Sequence, residues 1–476
     1  MTRELWTWDE LLAAVPLAKA DGKPARPVTG FSIDTRSLQP GDVFVALKDQ
    51  RDGHEFVTAA FKAGAAAAIV GDHYQRHDGD GALLRANDPL GALAAIGIAA
   101  RSRLSTEARV IAVTGSAGKT TTKEMLRACL GAVAPGKVHA SEKSYNNRWG
   151  VPLTLARMPR DTQYAVFEIG MNHAGEIRPL SRMARPHAAI VTTVEAVHLA
   201  QFSSVEEIAD AKAEIFEGLL SGGAAIIKLD NPHFDRLRVR AQAQSAKVIS
   251  FGIDDRAEVH AEKIHLGENG SDITAGVDGR LVNYHVAIPG KHVAENSLAV
   301  VAALYAIGAD VETAVQALAT LPPPAGRGAR TVLRVTGGDA LLIDESYNAN
   351  PASMRAALAT LAMVPRSRYA RRIVVLGDML ELGPEAANLH LGLKEAVDAA
   401  GVDKVFACGP HIKGLYDAMG SAKKGGYSAA APGLEAMLAA SLRAGDVVML
   451  KASNGLKLGA IAEALKSRFA KGGGAT

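Results

Sequence analysis

Short apolar stretches alternate with longer helical patterns through the middle of the chain. In order, the pattern covers residues 110–113, 121–133, 164–169, 174–184, 188–194, 204–220 and 224–229. Strands that alternate with helices in this way are typical of a parallel α/β sheet. Farther along, Asn-Gly at 269–270 and Asp-Gly at 278–279 lie between alternating stretches and predict hairpins near residues 258–288.

The segments on either side have patterns of their own. Before residue 109, a helical pattern and short strand-like pieces predict a small mixed α/β domain. A Pro-rich stretch at 322–324 is typical of a linker. It is followed by strand candidates at 341–344, 373–377, 404–408 and 447–451. Helical patterns separate these candidates, so a second, Rossmann-like α/β sheet is expected. We therefore predict three domains, over residues 1–108, 109–325 and 326–476.

Composition narrows the class of protein. Apolar residues make up 48% of the 476 residues, and 53 basic side chains nearly balance 50 acidic ones. This composition excludes a disordered chain and a general polyanion binder, so no nucleic-acid partner is expected. The two cysteines exclude a disulfide scaffold. The first residues lack an apolar signal core, and no apolar run approaches the roughly 20 residues of a membrane span, so we expect a cytoplasmic protein.

The strongest local motif follows the apolar stretch at 110–113. A glycine turn, Lys119 and a hydroxyl residue lead into a helix, as in phosphate-binding loops, where backbone N–H groups and a lysine hold phosphate. The consensus loop would begin with glycine at the position of Val113, so this is a variant. The candidate phosphate-binding residues are Thr114, Gly115, Ser116, Ala117, Gly118, Lys119, Thr120 and Thr121.

Polar residues that follow predicted strands are weaker candidates. Glu168, His198 and Asp344 fall at or after strand ends, where open α/β sheets bind ligands, and oxygen or imidazole groups there suit Mg²⁺. Lys212 lies in a helix rich in acidic residues and, taken alone, is a salt-bridge partner.

Together these motifs resemble the Mur ligases, ATP-dependent amide-forming ligases of bacterial peptidoglycan synthesis. The resemblance covers nearly the whole chain and includes the sequences at residues 145–154, 168–177, 344–351 and 376–383. The last two are similar to the branch that joins D-alanyl-D-alanine to UDP-N-acetylmuramoyl-tripeptide. The resemblance thus implies these two substrates, ATP, an acyl phosphate intermediate and the UDP-linked pentapeptide as product.

The resemblance also assigns roles to residues. Lys119, Glu168, His198 and Lys212 would be catalytic, with Thr120 and Glu168 holding one Mg²⁺ and His198 and a carbamylated Lys212 holding a second. The remaining ATP contacts would be His292, Asn296, Arg327 and Asp344. The nucleotide-sugar substrate would contact Asp34, Thr35, Arg36, Asn146 and Asn147, and the dipeptide Ser346, Tyr347, Asn348 and Asn350. Val293 and Asn454 depart from the family pattern.

Two alternative functions stay open at this point. One is another amino-acid ligase of the same architecture, either a sibling Mur ligase or an enzyme like folylpolyglutamate synthase. The other is a nucleotide-binding switch that hydrolyses ATP slowly. For the ligase that joins D-alanyl-D-alanine to the tripeptide, we expect a monomer whose third domain closes over the second.

Overall fold

The predicted strands form three separate sheets. A computed structural model describes residues 4–197 and 199–470, and His198, a predicted metal ligand, lies outside the described residues. In this part of the chain the sheets have five, nine and six strands. The fold class predicted from the sequence, three α/β domains in chain order, is confirmed. The exact domain bounds remain a prediction.

The first sheet has the strand order β1-β5-β4-β3-β2, with β1 antiparallel to β5 and the other pairs parallel. Its strands are β1 (Lys19–Asp21), β2 (Gly30–Ser32), β3 (Asp42–Val45), β4 (Ala67–Val70) and β5 (Ala82–Arg85). The helices of this segment are α1 (Trp8–Ala14), α2 (Val57–Lys62) and α3 (Pro89–Ser102). Strands β3 and β4 are buried along their whole length, because apolar residues fill every position but one and helices cover the sheet.

The central sheet has the order β14-β13-β12-β11-β10-β9-β6-β8-β7. Its strands are β6 (Arg109–Thr114), β7 (Val138–Ala140), β8 (Tyr164–Glu168), β9 (Ala188–Val191), β10 (Ala224–Lys228), β11 (Lys247–Gly252), β12 (Val259–Gly267), β13 (Gly270–Val277) and β14 (Arg280–Val286). Strands β6 to β12 pair in parallel, and β12, β13 and β14 form the two predicted hairpins. The helices are α4 (Lys119–Val133), α5 (Gly150–Ala156), α6 (Ile177–Ala184), α7 (Val205–Ala213), α8 (Phe234–Gln242), α9 (Lys291–Ala306) and α10 (Val311–Val315).

The third sheet has the order β15-β16-β20-β17-β18-β19, all parallel except β15. Its strands are β15 (Ala329–Val335), β16 (Gly338–Asp344), β17 (Arg371–Gly377), β18 (Lys404–Cys408), β19 (Lys424–Ser428) and β20 (Asp446–Lys451). The helices are α11 (Pro351–Ala362), α12 (Ala386–Leu391), α13 (Lys394–Ala399), α14 (Lys413–Asp417), α15 (Pro432–Ser441) and α16 (Leu458–Arg468). Sequence patterning missed β15 and β19, which are the two edge strands and lack a continuous apolar run.

Strand register brings the candidate residues to one edge of the central sheet. Val113 pairs with Glu168, and Thr114 pairs with Val191, so β6, β8 and β9 end at the same level. The phosphate-binding loop follows β6 directly, and Thr192 follows β9. The carboxyl ends of these parallel strands therefore form the floor of the candidate site.

Two further features expected from the sequence are the burial of the cysteines and the lack of a membrane-spanning helix. Both cysteines are free and buried, as predicted, and burial raises the pKa of Cys129 to about 12. Among the described residues, no helix combines the length and apolar character that a membrane crossing requires.

Trp6 joins the first sheet to the central domain. It is 2% exposed, its Nε1 donates to the Ala156 carbonyl at 2.9 Å, and its ring packs edge-on against Phe31 of β2. The Arg103 guanidinium lies 3.8 Å from the Trp6 ring centroid and donates to the carbonyls of Leu5 and Met158. One aromatic side chain thus contacts both domains.

We expect Trp6→Ala to lower the free energy of unfolding by roughly 3–5 kcal/mol, the usual range when a buried Trp is truncated. Calorimetric melting of both proteins measures this. Leu17→Ala is the control, because that leucine side chain is 95% exposed and its loss should leave the melting temperature unchanged. Equal melting curves for Trp6→Ala and the parent would show that this contact does not stabilise the domain junction.

Candidate active site at the phosphate-binding loop

The phosphate-binding loop is tight because two glycines leave no room for a side chain. A Cβ on Gly115, which has φ +149°, would lie 1.9 Å from Thr192 Oγ1. A Cβ on Gly118, with φ +82°, would lie 2.4 Å from Asn296 Nδ2. Position 113 does not require glycine, because Val113 is still a buried residue of β6 and pairs with Glu168. The variant loop therefore keeps the consensus spacing, and its first position is still part of the strand.

Helix α4 presents its amino end to this loop. Its N-cap is Gly118, which has no side chain to cap the first N–H groups, so these remain available to an anion. Lys119 opens the helix and donates from Nζ to the Gly115 carbonyl at 2.6 Å. Burial lowers the pKa of Lys119, and the carboxylate of Glu168 partly offsets that effect. These donors form a cradle for phosphate oxygens.

A second cation reaches the loop from the linker. The Arg327 guanidinium lies 4.3 Å from the ring centroid of Tyr347, and its positive charge contributes to the lowered pKa of Lys119. Two cations that repel each other in a partly buried site favour an anion between them. The pair therefore supports the predicted phosphate contact of Arg327.

Glu168 has an oxygen that nothing in the described chain satisfies. The residue is 1% exposed, and its Oε1 accepts from Asn146 Nδ2 at 2.8 Å. Its Oε2 is buried and lacks a hydrogen-bond partner among the described residues. Nearby, Thr120 Oγ1 lies 3.3 Å from Ser144 Oγ. A buried carboxylate oxygen without a partner is costly, and hydroxyl and carboxylate oxygens are the ligands that Mg²⁺ prefers, so this donor set fits the ion.

Lys212 is buried rather than paired on the surface. It lies in the last turn of α7 and is 2% exposed. Burial and the positive charge of Lys119 hold the pKa of Lys212 well below its usual value. Asp210, an acidic residue of the same helix, pairs with Arg236 and Arg240. Within residues 4–197 and 199–470 Lys212 forms no ion pair, in contrast to the salt-bridge interpretation.

A cavity of about 240 Å³ extends from the loop toward the third domain. His292 and Asn296 line it from α9, and burial lowers the pKa of His292. Glu345 and Lys451 line it from the other side, and Lys451 Nζ lies 3.2 Å from Glu345 Oε2. The central and third domains thus share one pocket.

Asp344 lies beside this cavity, between the lining residues Ile343 and Glu345. Its Oδ1 accepts from the backbone N–H and the hydroxyl of Ser346, at 3.1 and 2.6 Å. Lys466 Nζ lies 3.6 Å from its Oδ2. The role of Asp344 in nucleotide binding stays a prediction.

Most of the predicted dipeptide residues have local partners. The Ser346 hydroxyl is bound to Asp344, and Asn350 caps α11 in a capping box with Ser353. Asn348 Oδ1 accepts from the N–H of Ala349 at 2.9 Å. Asn348 and Asn350 still line the shared cavity, which keeps them beside any bound substrate.

The predicted nucleotide-sugar residues divide into two groups. In the first domain, Arg36 pairs with Asp34 in a fork, and the Arg36 hydrogen bond is the main cause of the lowered pKa of Asp34, with Lys143 contributing. Thr35 lies between them and is partly exposed. In the central domain, Asn146 binds Glu168, whereas Asn147 Oδ1 accepts the N–H groups of residues 149 and 150 and so begins α5.

Asp52, His54 and His73 also cluster in the first domain, with ligand atoms within 4.8 Å of one another. His54 Nε2 accepts from the Gly71 N–H at 2.8 Å, so the ring proton resides on Nδ1 and is donated to Asp52 Oδ1 at 2.6 Å. Both ring nitrogens of His54 are therefore engaged, and the cluster does not suit a metal.

Sequence reasoning missed three residues near the site. Ser144 follows no recognised motif, and Lys123 is fully buried although lysine is seldom so. Arg330 lines the shared cavity, and its buried Nε and Nη2 lack hydrogen-bond partners within residues 4–197 and 199–470. The two basic residues show no sequence signal, because their burial depends on distant segments.

Comparison with known proteins agrees with this geometry. A family model described as Mur ligase middle domain matches residues 113–304, and one described as Mur ligase, glutamate ligase domain, matches residues 330–454. The chain is 38% identical to UDP-N-acetylmuramoyl-tripeptide--D-alanyl-D-alanine ligase of Escherichia coli K12, over 82% of this chain and 83% of that one. It is 34% identical to the ligase of the same name of Bacillus subtilis 168, over 90% and 92%.

Two solved structures of similar proteins also match this chain over most of its length. MurF from Acinetobacter baumannii superposes with a TM-score of 0.82 at 29% identity, covering 98% of this chain and 100% of that chain. MurF ligase from Thermotoga maritima in complex with ADP superposes with a TM-score of 0.76 at 25% identity, covering 93% and 98%.

The glycine geometry generates a prediction. Gly115→Ala should weaken the binding of ADP with Mg²⁺ by at least about tenfold, because the added methyl must displace Thr192 and reshape the cradle. Isothermal titration calorimetry measures the affinity. The matched control is Gly131→Ala on α4, where a Cβ meets nothing within 4 Å, so binding should be unchanged and the helix slightly more stable. Unchanged binding in Gly115→Ala would contradict the proposed cradle.

Proposed function

The chain belongs to the Mur ligase family, and on that basis we propose that it joins D-alanyl-D-alanine to UDP-N-acetylmuramoyl-tripeptide in an ATP-dependent reaction. The product is the UDP-linked pentapeptide used in peptidoglycan synthesis. The observation that carries the proposal is the buried oxygen of Glu168, which has no hydrogen-bond partner in the described part of the chain. It lies beside a phosphate-binding loop, at one end of a cavity shared with the third domain. A site of this kind can bring a nucleotide, a cation and two further substrates together.

The chain's own residues supply positioning and charge. The N–H groups of the loop and Lys119 bind the phosphate oxygens, and Arg327 binds them from the linker side. The tripeptide carboxylate attacks the γ-phosphorus, the bond to the β-phosphate oxygen breaks, and an acyl phosphate and ADP result. The dipeptide amine then attacks the acyl carbon, and the tetrahedral intermediate expels phosphate as the amide forms.

Residues of the loop edge would hold Mg²⁺. Thr120, Ser144 and Glu168 are the oxygen donors for one ion, and His198 with Lys212 would serve a second. When bound, Mg²⁺ supplies positive charge that offsets the repulsion between the phosphate and the carboxylate. Glu168 and Asn146 keep the oxygen donors in place through the hydrogen bond that joins them.

We further propose that Lys212 is carbamylated. A buried cation beside the second cation Lys119 is unfavourable. Addition of CO₂ to the amine forms an N–C bond and releases a proton, and the resulting carbamate is an anion with oxygen ligands. Carbamylation would replace the repulsion between Lys212 and Lys119 with an attraction between the carbamate and Lys119.

The domains would divide the substrates between them. The first domain would bind the UDP end, the central domain ATP, and the third domain the dipeptide. The Arg36–Asp34 pair is exposed on the first domain, where a nucleotide sugar could contact it. We place the reaction in the bacterial cytoplasm and expect a monomer there.

Phosphate release tests the reaction. With ATP and Mg²⁺ present, release should require both UDP-N-acetylmuramoyl-tripeptide and D-alanyl-D-alanine, and mass spectrometry should show the pentapeptide product. Each substrate is omitted in turn, and a panel of single amino acids replaces the dipeptide as a control for sibling ligases. Release without the dipeptide, or no gain of mass on the nucleotide sugar, would refute the assignment.

The carbamate is tested separately. With ¹³C-bicarbonate, the folded protein should give one carbamate carbon resonance that Lys212→Ala removes and Arg127→Met retains, because Arg127 is an exposed cation on α4. Acidification should abolish the signal, since the carbamate reverts to amine and CO₂ when its nitrogen is protonated. A spectrum with no resonance assignable to Lys212 would count against the modification.

A further inference from the structure

Lys123 is a buried ammonium one turn beyond Lys119 in α4. Its side chain is 0% exposed, and its Nζ donates to the carbonyls of Ser141 and Lys143, each at 2.8 Å. The third contact is the carboxylate of Glu124, at 2.7 Å from Nζ to Oε1. All three ammonium protons are therefore used, two of them on a segment outside the helix.

That segment, residues 141–147, is here called the clamped loop. Ser141 Oγ accepts from the Glu168 N–H at 3.1 Å, and Asn146 Nδ2 donates to Glu168 Oε1 at 2.8 Å. Ser144 Oγ lies 3.3 Å from Thr120 Oγ1. Two side chains of the clamped loop thus bind Glu168, and a third, Ser144, is itself one of the oxygen donors proposed for Mg²⁺.

The backbone of the clamped loop needs a restraint at Lys143. This residue has φ +49°, in the left-handed region that side chains other than glycine seldom adopt. Its carbonyl is one of the two that Lys123 binds. The buried ammonium therefore offsets the cost of an unfavourable backbone conformation at the middle of the loop.

The clamped loop also contacts the first domain. Glu142 forms an ion pair with Arg157 at 2.8 Å, and Arg157 Nε donates to the Phe31 carbonyl of β2 at 2.8 Å. The charge of Lys143 acts on Asp34, a residue predicted to contact the nucleotide sugar. The loop therefore spans the gap between the Mg²⁺ donors and the first domain.

We propose that Lys123 is a positioning residue that holds the clamped loop across the two substrate sites through its bonds to the Ser141 and Lys143 carbonyls. The identity of the bound groups rests on the proposed function. Removal of the ammonium leaves two carbonyls unpaired and frees Lys143 from its left-handed conformation, so the loop occupies its binding position for a smaller fraction of the time. Affinity for the cation falls by that fraction.

Lys123→Met tests this, because methionine fills the space without donating a hydrogen bond. We expect the apparent dissociation constant of Mg²⁺ with ADP, measured by calorimetry, to rise about tenfold if the loop is in place one tenth of the time. Limited trypsin digestion, mapped by mass spectrometry, should show faster cleavage after Lys143 and unchanged cleavage in the first and third domains. In turnover, the concentrations of Mg²⁺ and nucleotide sugar needed for half-maximal rate should rise more than kcat falls.

Two further variants complete the design. Lys62→Met makes the same change at an exposed lysine of α2 in the first domain, and it should match the parent in Mg²⁺ affinity and in cleavage after Lys143. Lys143→Pro is a surface change that excludes the left-handed conformation, so it should weaken Mg²⁺ binding as Lys123→Met does and keeps the test open if that variant does not fold.

The proposal would be overturned if Lys123→Met bound Mg²⁺ as tightly as the parent does. If Lys123→Met does not fold, the same result in Lys143→Pro would overturn it. So would a uniform increase in cleavage across all domains, which would indicate general destabilisation. Calorimetry and digestion do not depend on turnover. An inactive parent protein in the phosphate-release assay would therefore refute the proposed function and leave the result on Lys123 standing.

Discussion

Buried and half-buried positive charges govern the candidate site. Lys119, Arg327 and Lys212 converge on the phosphate-binding loop, where Glu168 is the carboxylate that partly compensates them. Repulsion among cations in a poorly solvated site is unfavourable, so this arrangement favours the binding of anions. Nucleotide phosphates can neutralise Lys119 and Arg327, and a carbamate would neutralise Lys212. The Glu168 oxygen that lacks a partner among the described residues would then be available to a cation.

The fold places these charges without long loops. Strands β6, β8 and β9 end at the same level, so the phosphate-binding loop, Glu168 and Thr192 meet at one edge of the sheet. Close packing there sets the geometry, since Thr192 donates to the carbonyls of Thr114 and Ala117 and leaves no space for a Cβ on Gly115. The rigid edge supports the charges, whereas the clamped loop and the linker bring in the remaining contacts from outside.

The sequence predicted those features that depend on neighbouring residues. The strand, glycine turn and helix around Lys119 form one continuous motif, and the hairpins after β11 follow from Asn-Gly and Asp-Gly pairs. Lys123 and Arg330 could not be predicted, because a buried cation is recognisable only from the distant carbonyls or cavity that surround it. Asn350 shows the opposite case. The Asn-Pro pair is a helix-start signal that was available in the sequence, and the side chain does cap α11.

The shared cavity links nucleotide binding to the position of the third domain. His292 and Asn296 belong to the central domain, whereas Glu345 and Lys451 line the same space from the third. Arg327 comes from the connection between them and lies on Tyr347 of the third domain. A nucleotide in this cavity would contact both domains at once, so its binding free energy depends on their separation. Asn348 and Asn350, which are predicted to contact the dipeptide, belong to the third domain, so a closure that completes the nucleotide site would also carry the attacking amine toward the acyl phosphate.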